Sequence, residues 1–315
     1  MKAVAVKEFK AIPQLLDLPE PAVKEGTLKI KIAAAGLNPF DWKTIDGILK
    51  DHMPHVFPLI IGADMAGVVV ETGAGVTRFK AGDKVYGQVL HAPVGEGSYA
   101  EYVTVPDTVP ITTAPRKIPL ADAAAAPTAG MTALQLLDKS GLQEGQTLLL
   151  IGATGGVGSF TTQVARSRGI KVVATISGTA AAERILSLGA TETIDYTKAP
   201  VEDQFPGGAD ALIDLVSDKA GFERMSALVK RGGAALTTLF VADKTKLQEH
   251  GLHGGNFETK STPESLDELR ELIDSGKIIV PIDRRITPEL ASAAIAESRG
   301  RKSRGKTVIV MNEGL

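Results

Sequence analysis

The sequence predicts an α/β protein of two parts, a doubly wound parallel sheet and a β-rich domain. Three observations predict it. Residues 147–168, TLLLIGATGGVGSFTTQVARSR, read as a buried strand, a glycine turn and a helix. Strand-like and helix-like stretches alternate from there to residue 276, the pattern of parallel strands joined by helical crossovers. The first 120 residues instead carry short alternating runs broken by glycine and proline, which read as a sheet or partly closed barrel.

Taken in order, residues 2–7 alternate with Val4 and Val6 on one face, and Leu28, Ile30 and Ile32 alternate with Lys29 and Lys31. Pro13, Pro19 and Pro21 forbid a long helix between the two strands. A polar-aromatic segment, GLNPFDWKTIDG (36–47), precedes strand blocks at 60–73, 76–87 and 97–106. Residues 121–137 have helix composition, interrupted at Pro127 and Gly130. Further strands are expected at 171–176, 193–195, 211–216 and 234–239, with a helix at 180–188 closed by Gly189. Phe222, Met225 and Val229 mark another helix. Thr262 is placed to cap one that has Pro263 first, Leu266, Leu269 and Ile273 on one face, and Gly276 after it. Strand-like runs at 280–286 and 307–311 end the chain, with a helix starting at Thr287 and Pro288 between them.

The glycine turn carries the clearest chemistry. Gly152, Gly155 and Gly158 are spaced G-x-x-G-x-x-G, with Gly156 and Val157 between them. Such a turn lets the backbone approach a pyrophosphate, and the helix that follows offers free N–H groups and its positive dipole end. A dinucleotide is expected there. An NAD site normally places an acid at the end of the second strand to hold the ribose 2′-hydroxyl. Here the chain reads Thr175-Ile176-Ser177-Gly178-Thr179, with no acid before Glu183. A carboxylate would repel a 2′-phosphate whereas hydroxyls accommodate it, so NADPH is the expected cofactor. Ser177 and Thr179 also have the chemistry to cap the next helix.

The blocks NPFDWK, GADMAGVV, FKAGDKVYG, GSYAEYV, PTAGMTA, GATGGVG, LGAT with IDY, and RGKTVIV together resemble the medium-chain dehydrogenase/reductase superfamily, in its zinc-free quinone oxidoreductase branch. The resemblance runs almost end to end. It implies a discontinuous GroES-like catalytic domain (residues 1–120 and 277–315) and a Rossmann dinucleotide-binding domain (121–276). It implies that Asn38 donates a hydrogen bond to cofactor or acceptor, that Thr128 lies beside the nicotinamide, and that Tyr196 and a C-terminal arginine approach the adenosine phosphate. Arg299 is the first candidate for that arginine and Arg304 the second. Asp41 and Lys43, in the same block as Asn38, either act in catalysis, orient the loop or pair with each other. Zinc-dependent alcohol dehydrogenases of the superfamily place a cysteine near the position of Asn38, and Gly-His-Glu where this chain has Gly62, Ala63 and Asp64. No metal is therefore expected. His52 and His55 have ligand-like spacing, but Pro54 and Pro58 disfavour the helical turn that would present them together.

Composition excludes other classes. A net charge of -2 gives no electrostatic basis for nucleic-acid binding, and the cluster Arg299, Arg301, Lys302, Arg304 and Lys306 reads as a solvated face. No apolar run reaches the ~18 residues of a membrane span. The first residues lack the apolar segment of a secretory signal, and there is no cysteine, so a cytoplasmic location is expected. The expected activity is NADPH-dependent, zinc-independent reduction of a quinone or an α,β-unsaturated carbonyl. The alternatives are an enoyl-thioester reductase, or an NADPH-binding sensor or structural protein with little turnover. Substrate choice is expected in the loops at 46–57 and 241–256. By the resemblance, a homodimer forms through the nucleotide domain with residues 252–257 at its edge.

Overall fold

The computed structural model describes residues 1–300 and 304–315, so Arg301 and Lys302 of the basic cluster lie outside the described residues. Two units divide the chain: Met1–Ala129 with Ser261–Leu315, and Gly130–Lys260. In the second unit six parallel strands lie in the order Glu192–Asp195, Lys171–Ile176, Thr147–Ile151, Ala209–Asp214, Val229–Thr237, His253–Asn256. Numbered along the chain, that order is 3-2-1-4-5-6, which is doubly wound and reverses direction at the Thr147–Ile151 strand. Leu148, Leu149 and Leu150 are fully buried, as are Val172, Leu212 and Ile213. Such near-continuous apolar runs suit strands covered on both faces.

The sixth strand was not visible in the sequence. His253–Asn256 reads HGGN and has no apolar alternation, yet it pairs in register with residues 234–237. With the helix Lys244–Glu249, it occupies most of the segment expected to be a substrate loop. Val229, expected in a helix, instead begins a strand.

The first unit holds a seven-stranded sheet. Its path runs Ile282–Ile286, Lys306–Val310, Thr27–Gly36, Asp64–Thr72, Lys84–Gln88 and Ile111–Thr113, and Tyr102–Pro106 pairs with Thr27–Gly36. A smaller sheet joins Gln14–Asp17, Lys2–Val6 and Leu59–Ile60. Leu28, Ile30, Ile32, Val69, Val85 and Ile309 form the core between these strands, so the alternation at 28–32 marks real burial.

The helix Pro263–Asp274 starts at the expected cap, where Thr262 Oγ1 accepts from the Ser265 N–H at 3.2 Å. Its place in the fold differs from the expected boundary at 276. Tyr86 donates to the Leu266 carbonyl at 2.5 Å, Thr112 to Asp267 at 2.8 Å, and the Arg116 N–H to Asp274 at 2.8 Å. These bonds tie the helix into the first unit. Periodicity specifies a helix but not the sheet it joins.

Candidate functional site

Sheet register assembles the polar centre of the first unit. Gly36 stands opposite Asp64, and Asp64 stands opposite Gln88. The final strand pairs beside them, with Val308 opposite Gly36 and the Leu37 N–H donating to the Thr307 carbonyl at 3.0 Å. Residues far apart in sequence therefore form one row. Gly36 is required there, because a Cβ would collide with the Ala124 carbonyl of the chain crossing above it. Pro39–Ile45 forms a short helix just after the row, with Asn38 at its N-cap and Pro39 in its first turn.

Asn38 is 3% exposed and all its side-chain atoms are engaged. Its Nδ2 donates to Asp64 Oδ2 at 2.8 Å and to the Gly36 carbonyl at 3.2 Å, and its Oδ1 accepts from Lys306 Nζ at 2.5 Å. Lys306 also donates to the Leu37 carbonyl at 2.7 Å. Asp64, fully buried, accepts four bonds: from Asn38, from Thr128 N (2.9 Å), from Thr128 Oγ1 (2.5 Å) and from Gln88 Nε2 (3.2 Å). Gln88 donates further to Thr128 Oγ1 at 2.5 Å and accepts from Ser261. Asp41 Oδ2 accepts from the Asn38 N–H (2.7 Å) and from Tyr99 (2.8 Å), while its Oδ1 is buried with no partner among the described residues.

These contacts correct two expectations. The amide donors of Asn38 are spent inside the protein, so Asn38 holds Lys306 and Asp64 together and presents no donor outward. Asp41 closes the helix start and does not pair with Lys43, whose ammonium lies 5.7 Å from the centre of the Trp42 ring. Burial pushes the Asp41 carboxyl up to about 7, against the pull of its Asn38 and Tyr99 bonds. Burial likewise lowers the Lys306 ammonium and raises the Tyr99 hydroxyl well above its ordinary range. Each effect favours the neutral form, as burial does.

The second unit holds the glycine turn. The strand Thr147–Ile151 enters it, Gly155 caps the helix Gly156–Ser167, and Thr175 Oγ1 accepts from the Gly152 N–H at 3.2 Å. A Cβ at Gly158 would meet the Gly152 carbonyl and come 2.6 Å from Ala153 Cα. Helix and strand thus close to a distance that only glycine permits, and Gly156 and Val157 stand in the first turn of the helix, where backbone N–H groups lack intrahelical acceptors. The strand Lys171–Ile176 ends beside this turn. Gly178 caps the helix Thr179–Ser187 without a side-chain bond. Ser177 and Thr179 therefore do not cap that helix; both are exposed, and their hydroxyls have no partner among the described residues. Tyr196 is 55% exposed, and its N–H donates to the Ile176 carbonyl at 3.2 Å, which sets it at the same corner.

Arg299 lies in the first unit and has other employment. It grips both oxygens of Asp46 at 2.7 and 3.0 Å and sits 5.2 Å from the centre of the Trp42 ring. Arg304 is exposed in the same unit. Sequence reasoning missed Gln88 and Lys306 as site residues and weighed Asp64 only against a metal triplet. It missed Arg184 as well. Arg184 extends from the helix Thr179–Ser187 to the glycine turn, its Nη1 lying 3.4 Å from the Thr154 carbonyl.

Among the described residues no three His, Cys, Asp or Glu side chains are grouped to hold a metal. At the position of the superfamily's zinc the donor set is also unsuited. Asp64 is the one residue there of a type zinc favours, and all four of its bonds go to protein donors.

Residues 24–115 match the alcohol dehydrogenase GroES-like domain family, and residues 188–309 match the zinc-binding dehydrogenase family. A 2-methylene-furan-3-one reductase from Solanum lycopersicum is 35% identical over 291 residues, 90% of this chain and 71% of its own length. The NADPH-dependent alkenal/one oxidoreductase of Arabidopsis thaliana chloroplasts is 34% identical over 84% of this chain and 66% of its own length. The structure of the quinone oxidoreductase from Coxiella burnetii superposes with a TM-score of 0.89 at 28% identity, covering 99% of both chains.

Proposed function

The chain belongs to the medium-chain dehydrogenase/reductase superfamily, and from that premise we propose that it reduces quinones or α,β-unsaturated carbonyl compounds with NADPH. Its parallel sheet is the superfamily's Rossmann domain and its β-rich unit is the GroES-like one. The cofactor would be held by Gly152, Gly155, Gly156, Val157 and Gly158 at its diphosphate, and by Ser177, Thr179 and Tyr196 at its 2′-phosphate. The residues fit that group: the turn is narrowed to glycine dimensions at Gly158, and two exposed hydroxyls stand where an NAD site carries an acid. When bound, NADPH supplies a hydride.

One observation carries the choice of acceptor. The groups able to polarise an isolated ketone, Tyr99 and Lys306, are buried and turned onto Asp41, Asn38 and Leu37. Reduction of a simple ketone concentrates charge on one oxygen and calls for a strong donor or a metal. A quinone or enone spreads that charge through conjugation and needs less from the protein. Thr128 and Gln88, half-buried and fixed by Asp64, are the members of the row nearest the surface, and we assign them the orientation of the acceptor. Asn38, Asp41 and Lys306 position that row from behind.

Three finer statements belong to the same proposal. Activity needs no zinc, because the one ligand-type residue at that place is committed. The protein is a homodimer, and His253–Asn256 supports this as the edge strand of the parallel sheet among the described residues. It works in the cytoplasm; no described helix is long and apolar enough to cross a membrane. The test follows NADPH oxidation by absorbance with a quinone, an enone, an enoyl thioester and a simple ketone, before and after dialysis against a chelator. Turnover with quinone or enone, unchanged by dialysis, is expected. Turnover with the ketone alone, or its loss on chelation, contradicts the proposal, and a preference for the thioester reassigns the substrate.

A further inference from the structure

A cavity of about 450 Å³ opens in the first unit, away from the row around Asp64. Its size is that of a small-molecule site. Lys84 lines it and Gln88 belongs to the row, and the two stand at opposite ends of the strand Lys84–Gln88, ~13 Å apart at ~3.3 Å per residue. Three cations, Arg78, Lys84 and Arg116, face the cavity with one carboxylate, Asp83. Among the described residues none of the three cations has an ion-pair partner. The Arg78 guanidinium donates to the Asp107 carbonyl and, at 2.9 Å, to the Ile111 carbonyl, and it lies 5.0 Å from the centre of the Phe79 ring. Neutral groups therefore fix its position and leave its charge uncompensated. Asp83 is partly spent, accepting from the Lys80 N–H at 2.9 Å. The walls are tied by backbone. The Ala114 N–H donates to the Lys84 carbonyl at 2.9 Å, and the Arg116 and Lys117 N–H groups donate to Asp274 at 2.8 and 3.0 Å. None of these bonds uses the Lys84 or Arg116 side chain.

We propose that this cavity binds an organic dianion, its charge set against Arg78, Lys84 and Arg116 and a compact apolar body lying along Phe79 and Ile118. Three cations against one carboxylate leave two positive charges, which an ion of charge two neutralises. Like charges gathered in a concave site raise the local concentration of an anion. Arg78 is held in place before any ligand arrives, so little side-chain freedom is lost on binding. The apolar body follows from volume and lining. The cavity is far larger than a bare ion needs, and Phe79 and Ile118 are half-buried apolar side chains on its wall. A phosphate monoester and a dicarboxylate share this chemistry, and both suit a planar guanidinium and an ammonium.

The site is independent of the proposed reaction. The test is titration calorimetry of the whole chain with phenyl phosphate, phthalate, inorganic phosphate and benzyl alcohol. Wild type is compared with Lys84→Gln, Arg116→Gln, the double variant, and Lys117→Gln, whose side chain is exposed and outside the cavity lining; each is checked for an unchanged melting profile. Wild type is expected to bind phenyl phosphate or phthalate, and the tighter of the two identifies the head group. Benzyl alcohol, which lacks the charge, and inorganic phosphate, which lacks the apolar body, are expected to bind more weakly by about tenfold or more. The double variant is expected to weaken the dianion by about tenfold or more, the scale of lost charge-assisted pairs, each single variant by part of that, and Lys117→Gln by less than about threefold. Binding that the double variant leaves unchanged places the anion elsewhere and overturns the assignment. Inorganic phosphate as tight as phenyl phosphate would mean an adventitious ion only, and no binding of either dianion at millimolar concentration likewise overturns the proposal.

Discussion

Replacing Asp41 with asparagine isolates the energetic cost of the buried row. The carboxyl moves from 3.8 to about 7 on folding. Between those values the folded state binds a proton that the unfolded state has released, so stability falls as pH rises through the window. At about 1.4 kcal/mol per decade of proton affinity, the full effect is ~4 kcal/mol lost above neutrality. Asparagine keeps the neutral form at every pH and retains an oxygen for the Asn38 N–H and the Tyr99 hydroxyl. Asp41→Asn is therefore expected to match wild type near pH 4 and to exceed it by ~2–4 kcal/mol near pH 8.5, the lower figure allowing for lost attraction to Lys306. Trp42, the sole tryptophan, lies in the first unit beside this residue. Its fluorescence during urea unfolding follows the first unit separately from the second. A stability difference between variant and wild type that stays constant with pH would refute the reasoning.

Three further outcomes follow from the same contacts. Lys306→Met leaves the buried Asn38 Oδ1 and Leu37 carbonyl without their donor; it should cost the first unit ~2–5 kcal/mol by the Trp42 signal, and a loss under ~1 kcal/mol, the scale of an exposed pair, would show that the row does not depend on this side chain. Gly158→Ala forces a methyl group against the Gly152 carbonyl; dinucleotide affinity by calorimetry should drop by about tenfold or more, and an unchanged affinity would remove the turn from the site. Ser177→Asp places a carboxylate at the end of the second strand and should shift preference toward NADH; undiminished NADPH preference would mean that the 2′-phosphate sits elsewhere.

Local signals were legible in the sequence and tertiary partnerships were not. The expected strand at 171–176 matches Lys171–Ile176, and the helix after Thr262 starts at its cap, because alternation and capping are decided within a few residues. The glycine turn was legible for the same reason. HGGN became a strand because the sheet edge offered hydrogen bonds, a cause that leaves no mark on those four residues. The row around Asn38 depends on register: Lys306 meets Asn38 across 268 positions of sequence and Thr128 meets Asp64 across 64. Lys306 opens a five-residue strand, KTVIV, and looks like an ordinary solvent-facing lysine until the final strand is placed beside Gly36. Arg299 was taken from the family pattern, and its pairing with Asp46, 253 positions away, could not be read locally.

The central claim is that hydride goes to a conjugated carbon and not to an isolated carbonyl, and one labelling experiment addresses it. NADPH carrying deuterium at its transferable position is offered to the enzyme with an enone and a simple ketone in the same vessel, and the products are analysed by mass spectrometry and NMR. The buried, inward-turned Tyr99 and Lys306 predict deuterium at the β-carbon of the enone, with the ketone recovered unlabelled. Deuterium on the carbonyl carbon of the ketone, with the enone untouched, would contradict the account.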